Sequence, residues 1–142
     1  MTSRFDAVPS PGFVIEEKLL RRNLELIASV GREAGVEIIP AFKGFSMWSV
    51  FPVVREFVTG ASASSLNEAR LCYEEMKVRA HTYAPVYIPA EFQEILGYSS
   101  HIVFNSMAQF HQYIPQIRNY SRKISVGIRV NPEFSEVEPL IY

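Results

Sequence analysis

Ile124-Ser125-Val126-Gly127-Ile128-Arg129-Val130-Asn131 alternates bulky aliphatic residues with small or polar ones, and this alternation decides between the two folds open to the chain. Successive side chains of a strand leave opposite faces. Ile124, Val126, Ile128 and Val130 therefore share one face, and Ser125, Gly127, Arg129 and Asn131 share the other. An open parallel sheet with helices on both sides should be apolar on both faces. A closed (β/α)8 barrel fits better, with the bulky face against the outer helices and Arg129 inward near the carboxyl end of its strand, where the active sites of such barrels lie.

Upstream of this stretch, strand and helix patterns alternate at intervals of about twenty residues. Pro11 to Ile15 reads as a short opening strand, followed by an amphipathic helix from Glu16 to Arg32, with Leu20, Leu24, Ile27 and Ala28 on its apolar side, stopped at Gly35. A strand over Val36–Lys43 precedes a helix over Ser46–Thr59, with Met47, Phe51, Val54 and Val58 at helical spacing and Pro52 in the first turn. A small-residue strand over Gly60–Ser64 leads into Ser65-Leu66-Asn67-Glu68, a capping-box match, and a helix with Leu66, Ala69, Tyr73 and Met76 on one face. Further strands are expected near 80–84, 102–105 and 123–130, with helices over about 89–96 and 106–117. The series predicts α/β architecture with right-handed βαβ units and a parallel sheet. No glycine-rich dinucleotide fingerprint follows any strand, which weighs against an open doubly wound sheet. The predicted fold is a partial TIM-type barrel of about five βα units, preceded by a short strand. A complete barrel takes roughly 250 residues, so the 142 residues are expected to be an incomplete piece with open sheet edges.

Lys43 is the first candidate functional residue. It lies in Ala41-Phe42-Lys43-Gly44-Phe45, an apolar stretch at the exit of an expected strand, on the same face as Ala41 and Ile39. Burying an ammonium group is costly, and a desolvated lysine becomes a neutral amine able to form a Schiff base with a carbonyl. The alternative is a strand-end lysine that extends its charge into water. Arg129 meets the same rim; its alternative is a buried structural arginine paired with a carboxylate, or a surface strand end.

The 14 basic and 15 acidic residues nearly cancel and are interspersed, so no electrostatic footprint for nucleic acid or an anionic membrane is expected. No stretch is long and apolar enough to span a bilayer, and the amino terminus lacks the apolar core of a signal peptide, so a cytoplasmic protein is expected. Cys72 is the only cysteine, which rules out an intramolecular disulfide. It falls in an apolar helical stripe and reads as packing. His81, His101 and His111 show no acidic or cysteine partners at metal-ligand spacing, so no metal site is expected.

Pro40-Ala41-Phe42-Lys43-Gly44-Phe45-Ser46 with Trp48 and Phe51-Pro52, Ala63-Ser64-Ser65 with Glu68, Phe104-Asn105-Ser106, and Gly127-Ile128-Arg129-Val130-Asn131-Pro132 together resemble the amino-terminal part of the pyridoxal-phosphate decarboxylases related to ornithine and diaminopimelate decarboxylase. The lysine segment is the most specific of these, and it points to the branch acting on carboxylated polyamines. The resemblance covers nearly the whole chain but only the first third to two fifths of a full-length member. It implies an alanine-racemase-like barrel plus a β-domain, with residues 1–15 associated with the β-domain and residues 16–142 forming an incomplete pyridoxal-phosphate-binding barrel.

On this resemblance Lys43 is the residue that holds pyridoxal phosphate covalently, Glu68 the acidic residue close to the cofactor, and Arg129 the inward arginine near its ring. Glu68 has a competing use as the reciprocal half of its capping box with Ser65. Ser62 stands where the ornithine decarboxylases carry an aspartate, which argues against ornithine as substrate. The resemblance implies decarboxylation of carboxynorspermidine or carboxyspermidine to norspermidine or spermidine, a step of polyamine biosynthesis, by a homodimer. It also places the ring-stacking histidine, the glycine-rich phosphate loop, the acid that pairs with the pyridine nitrogen and the partner subunit's contributions beyond Tyr142. Two other readings stay open: a barrel that binds pyridoxal phosphate without catalysis, and an inactive truncated product.

Overall fold

In the computed structural model, residues 5–134 and 136 are described. Four parallel strands make one sheet in chain order: β1 (Ser62–Ala63), β2 (Ala80–Tyr83), β3 (Ser99–Phe104) and β4 (Ser125–Ile128). Between and before them come helices α1 (Glu17–Ala34), α2 (Phe51–Val54), α3 (Leu66–Glu74), α4 (Phe92–Tyr98) and α5 (Met107–Arg118). Each strand pairs with the next in parallel, as βαβ units require.

The register sorts the sheet into two unlike faces. Ala63, Thr82, Ile102 and Val126 are lateral neighbours on the face that packs against helices. Ser62, His81, His101 and Ser125 are neighbours on the opposite face, and so are Tyr83, Val103 and Gly127. The helix side holds two apolar clusters. One joins Leu24 of α1, Phe42, Phe51, Val54, Cys72 and Ala80; the other joins Tyr87, Phe92, Ile102, Phe104 and Tyr113. In the second cluster Phe92 and Tyr113 lie 4.1 Å apart between centroids, and the Tyr113 hydroxyl donates to the Tyr87 carbonyl at 2.8 Å, so the buried phenol is satisfied. Cys72 is fully buried in the first cluster, and burial pushes its thiol up to about 12. It is packing, as its helical stripe predicts.

Local signals explain where most elements start and stop. α1 ends on Gly35 in the left-handed region (φ 64°), whose N–H returns to the last turn. Gly31 allows the chain to fold back, because a Cβ there would stand 3.0 Å from the Val36 carbonyl oxygen. Ser65 caps α3 by accepting from Glu68 N at 3.2 Å, and the Glu68 carboxylate returns to the Ser64 N–H at 2.7 Å. The capping box thus closes one residue further back than its usual form. Ser106 and Gln109 repeat this arrangement at α5, where Gln109 Oε1 accepts from Asn105 N at 2.8 Å.

Three expected elements differ. Pro11–Ile15 forms no strand, and Phe13 is 97% exposed. A strand needs a neighbour, and among the described residues none lies beside this segment. The strand expected over Val36–Lys43 shrinks to one parallel bridge, Ala41 to Ser62, held by Phe42 N to Ser62 O at 3.1 Å and Ser62 N to Pro40 O at 2.8 Å. Pro40 has no N–H to continue the ladder. The helix expected over Ser46–Thr59 becomes a 3-10 turn at Trp48–Val50 followed by the single turn of α2, with Pro52 at its start. The ring of Pro52 is compatible only with the first turn of an α-helix, which keeps the preceding residues out of it.

Candidate active site at the carboxyl edge of the sheet

Every candidate residue emerges at the carboxyl edge of the sheet. Lys43 follows the Ala41 bridge by two residues, Glu68 lies in the first turn of α3 just after β1, and Arg129 directly follows β4. Across the sheet the order is Lys43, Glu68, Tyr83 at the end of β2, Asn105 after β3, and Arg129. Four strand spacings separate the Lys43 segment from β4, about 19 Å in a flat sheet. Lys43 and Arg129 can therefore serve one ligand only if that ligand lies between them or the sheet curves.

Lys43 is not desolvated as expected. It sits exposed in a turn closed by Gly44 N and Phe45 N, which both donate to the Ala41 carbonyl, at 2.9 and 3.2 Å. The preceding Phe42 turns into the core, 3% exposed and stacked on Phe51 with ring centroids 5.0 Å apart. That packing anchors the backbone just before the turn that carries Lys43. Among the described residues none makes an ion pair or hydrogen bond with its side chain. Trp48, five residues on, is also exposed.

Glu68 has one carboxylate oxygen committed to the Ser64 N–H at 2.7 Å, so its capping use is realised. Its other oxygen has no partner among the described residues. Arg129 is exposed at the end of its strand, the surface alternative, and among the described residues no carboxylate pairs with it. Its Nη1 donates to the Tyr83 hydroxyl at 3.0 Å and to Asn105 Oδ1 at 3.3 Å, and its Cζ lies 5.9 Å from the Tyr83 ring centroid.

Sequence reading took the histidines one by one and missed a pair. Register sets His81 beside His101, and their rings lie 3.8 Å apart in the middle of the polar face. Ser100 Oγ lies 3.0 Å from His101 Nδ1. Partial burial, then the neighbouring His101, lowers the His81 pKa, against a smaller opposing pull from Glu37. His81 is second in β2 and His101 third in β3, and a register shift between Ala80 and His81 brings them level, so the pair is readable only once the register is known.

The rim fits pyridoxal phosphate in its chemical groups. It offers a primary amine without a partner among the described residues, a guanidinium with donors to spare, and small residues (Ser62, Ser125, Gly127) on the face between them.

No family model matches the chain. The chain is 42% identical over 139 residues, 98% of its length, to carboxyaminopropylagmatine decarboxylase of Synechocystis sp.. It is 38% identical over 138 residues to carboxynorspermidine/carboxyspermidine decarboxylase of Campylobacter jejuni, and 30% identical over 128 residues to that of Herminiimonas arsenicoxydans. The crystal structure of the Campylobacter jejuni carboxynorspermidine decarboxylase, complexed with norspermidine, superposes with a TM-score of 0.84 at 41% identity over 90% of this chain. The chain is thus similar to part of each of these decarboxylases. It spans about a third of the length of these relatives: 35% of the first two, and 34% of the Herminiimonas protein and of the crystallised chain. Among the described residues no helix is long and apolar enough to cross a membrane.

Proposed function

We propose that this chain forms the lysine-bearing part of a pyridoxal-phosphate-dependent decarboxylase acting on carboxylated polyamines, and that its sheet is one arc of a (β/α)8 barrel. The observation that carries this reading is the 0.84 superposition on a decarboxylase with norspermidine bound, together with an unpartnered lysine at the carboxyl edge. The division of the sheet supports the barrel. Helices cover one face, while the small, polar face is left open, as the inner side of an arc would be.

Bound pyridoxal phosphate supplies an electron sink for the carbanion left when carbon dioxide departs. Lys43 Nζ is the nucleophilic amine that would hold the cofactor's aldehyde, and once free it can carry a proton on the same nitrogen. Arg129 offers N–H donors to an oxygen on the ligand. Glu68 keeps one carboxylate oxygen without a partner among the described residues while its other oxygen holds the Ser64 backbone. Ser62 contributes no negative charge beside it, which suits a substrate other than ornithine. In the same reading the protein works in the cytoplasm as a homodimer.

The substrate class is a polyamine bearing a carboxylated aminopropyl end. Carboxynorspermidine and carboxyspermidine lead, and carboxyaminopropylagmatine is a second reading favoured by the 42% identity to the Synechocystis protein. Carbon dioxide release by the full-length protein from each of the three, supplied with pyridoxal phosphate, tests this. Release from at least one is expected. Cofactor binding without release from any of the three would instead make the protein a non-catalytic pyridoxal-phosphate carrier.

A further inference from the structure

Beyond the residues named for the cofactor, the carboxyl edge holds a closed polar ring whose geometry has one evident beneficiary. Tyr83, Asn105 and Arg129 come from three successive strands. Register aligns Tyr83 with Val103 and Gly127, so Asn105 and Arg129 stand two residues further on and on the same face. Arg129 N donates to the Phe104 carbonyl at 2.9 Å, which extends the β3–β4 ladder and anchors the arginine's backbone.

Hydrogen-bond directions within the ring are forced. Arg129 can only donate, so the Tyr83 hydroxyl must accept from Nη1 at 3.0 Å, and its single proton then goes to Asn105 Oδ1 at 3.0 Å. Asn105 Oδ1 also accepts from Nη1 at 3.3 Å, which occupies both lone pairs. The Asn105 backbone is fixed through its N–H to Gln109 Oε1 at 2.8 Å, and Gln109 Nε2 reaches the Pro85 carbonyl at 3.2 Å. All of this engages one guanidinium nitrogen. Nε and Nη2 have no partner among the described residues.

We propose that Tyr83, acting with Asn105, is a positioning residue that pre-orients Arg129, so that the unengaged edge of its guanidinium meets an anionic or phenolic oxygen of the bound cofactor. The inference rests on the pyridoxal-phosphate reading above and adds to it the residue that sets the arginine. A guanidinium held before binding loses less freedom on binding, and the gain shows in affinity. Tyr83→Phe keeps the ring over Arg129 but removes the hydroxyl that links the three side chains; Asn105→Ala removes the same link from the other side.

Pyridoxal phosphate is titrated into the full-length apoprotein and followed by the absorbance of the lysine-bound cofactor, and apoprotein melting is recorded beside it. For wild type, Tyr83→Phe, Asn105→Ala, Arg129→Ala and the Tyr83→Phe/Arg129→Ala double variant, the predicted pattern is specific. Tyr83→Phe and Asn105→Ala each weaken cofactor affinity about five- to tenfold, the size of one ordinary hydrogen bond. Melting of the apoprotein stays unchanged, and the double variant binds no more weakly than Arg129→Ala alone, because the tyrosine acts only through the arginine. A Tyr83→Phe protein that binds like wild type, or a double variant whose losses add in full, overturns the inference while leaving the cofactor reading standing. A wild-type protein with no lysine-bound absorbance overturns both.

Discussion

On the helix-covered face of the sheet Ala63, Thr82, Ile102 and Phe104 are fully buried or nearly so, and Thr82 Oγ1 meets Ser99 Oγ at 2.7 Å, so even the polar atoms there are paired within the protein. On the other face their neighbours His81, His101, Tyr83 and Gly127 stay half-buried, and at its carboxyl edge Lys43, Asn105 and Arg129 are exposed. The first face is where burial of apolar area stabilises the fold. The second contributes little to that sum, and its side chains are placed by short loops and caps rather than by packing. The difference teaches that the two faces can be perturbed separately, and each substitution below breaks or sharpens that separation.

The largest effect is expected at Lys43. Lys43→Ala in the full-length protein should abolish the absorbance of lysine-bound cofactor and carbon dioxide release, while apoprotein melting moves by no more than about 1 °C, as for an exposed surface change. Retained turnover, or a melting loss as large as that of a core variant, would break the separation.

Phe104→Ala probes the other face. Phe104 stacks on Tyr113 at 6.2 Å and packs edge-on against Tyr87 at 5.8 Å, so its loss should cost about 3–5 kcal/mol in denaturant unfolding. A cost under about 1 kcal/mol would mean that this cluster does not carry the core.

The His81–His101 pair gives a smaller, pH-dependent effect. The folded-state pKa of His81 lies below its ordinary value, chiefly through burial and then through His101. A base with a depressed pKa contributes stability that is fully present above its unfolded value, near 6.5. That contribution is lost as pH falls through the folded-state value. Melting temperature should therefore decline as the solution is acidified from about pH 7 toward 5, and His81→Phe should flatten the decline. An equally steep decline in the variant would show that other groups set it.

Ser65→Ala should give the smallest loss, about 1 kcal/mol, from removal of the α3 cap. Because Glu68 is anchored in the same turn, the variant also reports whether that capping arrangement holds the carboxylate at the rim. A weakened cofactor affinity beside the small stability loss would say that it does.

Much of this division was legible in residue patterns. The alternation through Ile124–Asn131 separates the two faces of β4 correctly, and the carboxyl-edge placement of Lys43 and Arg129 follows from the strand period of two, whereas Glu68 is singled out only by the family resemblance. The burial of β4 was not legible in that pattern: on its bulky face Ile128 is 39% and Val130 81% exposed. Lys43 is exposed for a similar reason, since an apolar run of sequence does not say what stands above a strand's end. The Pro11–Ile15 strand failed because extended propensity without a neighbour makes no ladder. Pairings across strands escaped entirely. Tyr83 with Arg129, and His81 with His101, are 46 and 20 residues apart in the chain, and only the register brings them together.

The central claim is that Lys43 is the amine that holds the cofactor. Reducing the pyridoxal-phosphate-loaded, full-length protein with borohydride and mapping the modified peptide by mass spectrometry tests it most directly. The account predicts a single pyridoxyl adduct on the peptide carrying Ala41-Phe42-Lys43-Gly44, absent from Lys43→Ala. An adduct confined to a different lysine would contradict it.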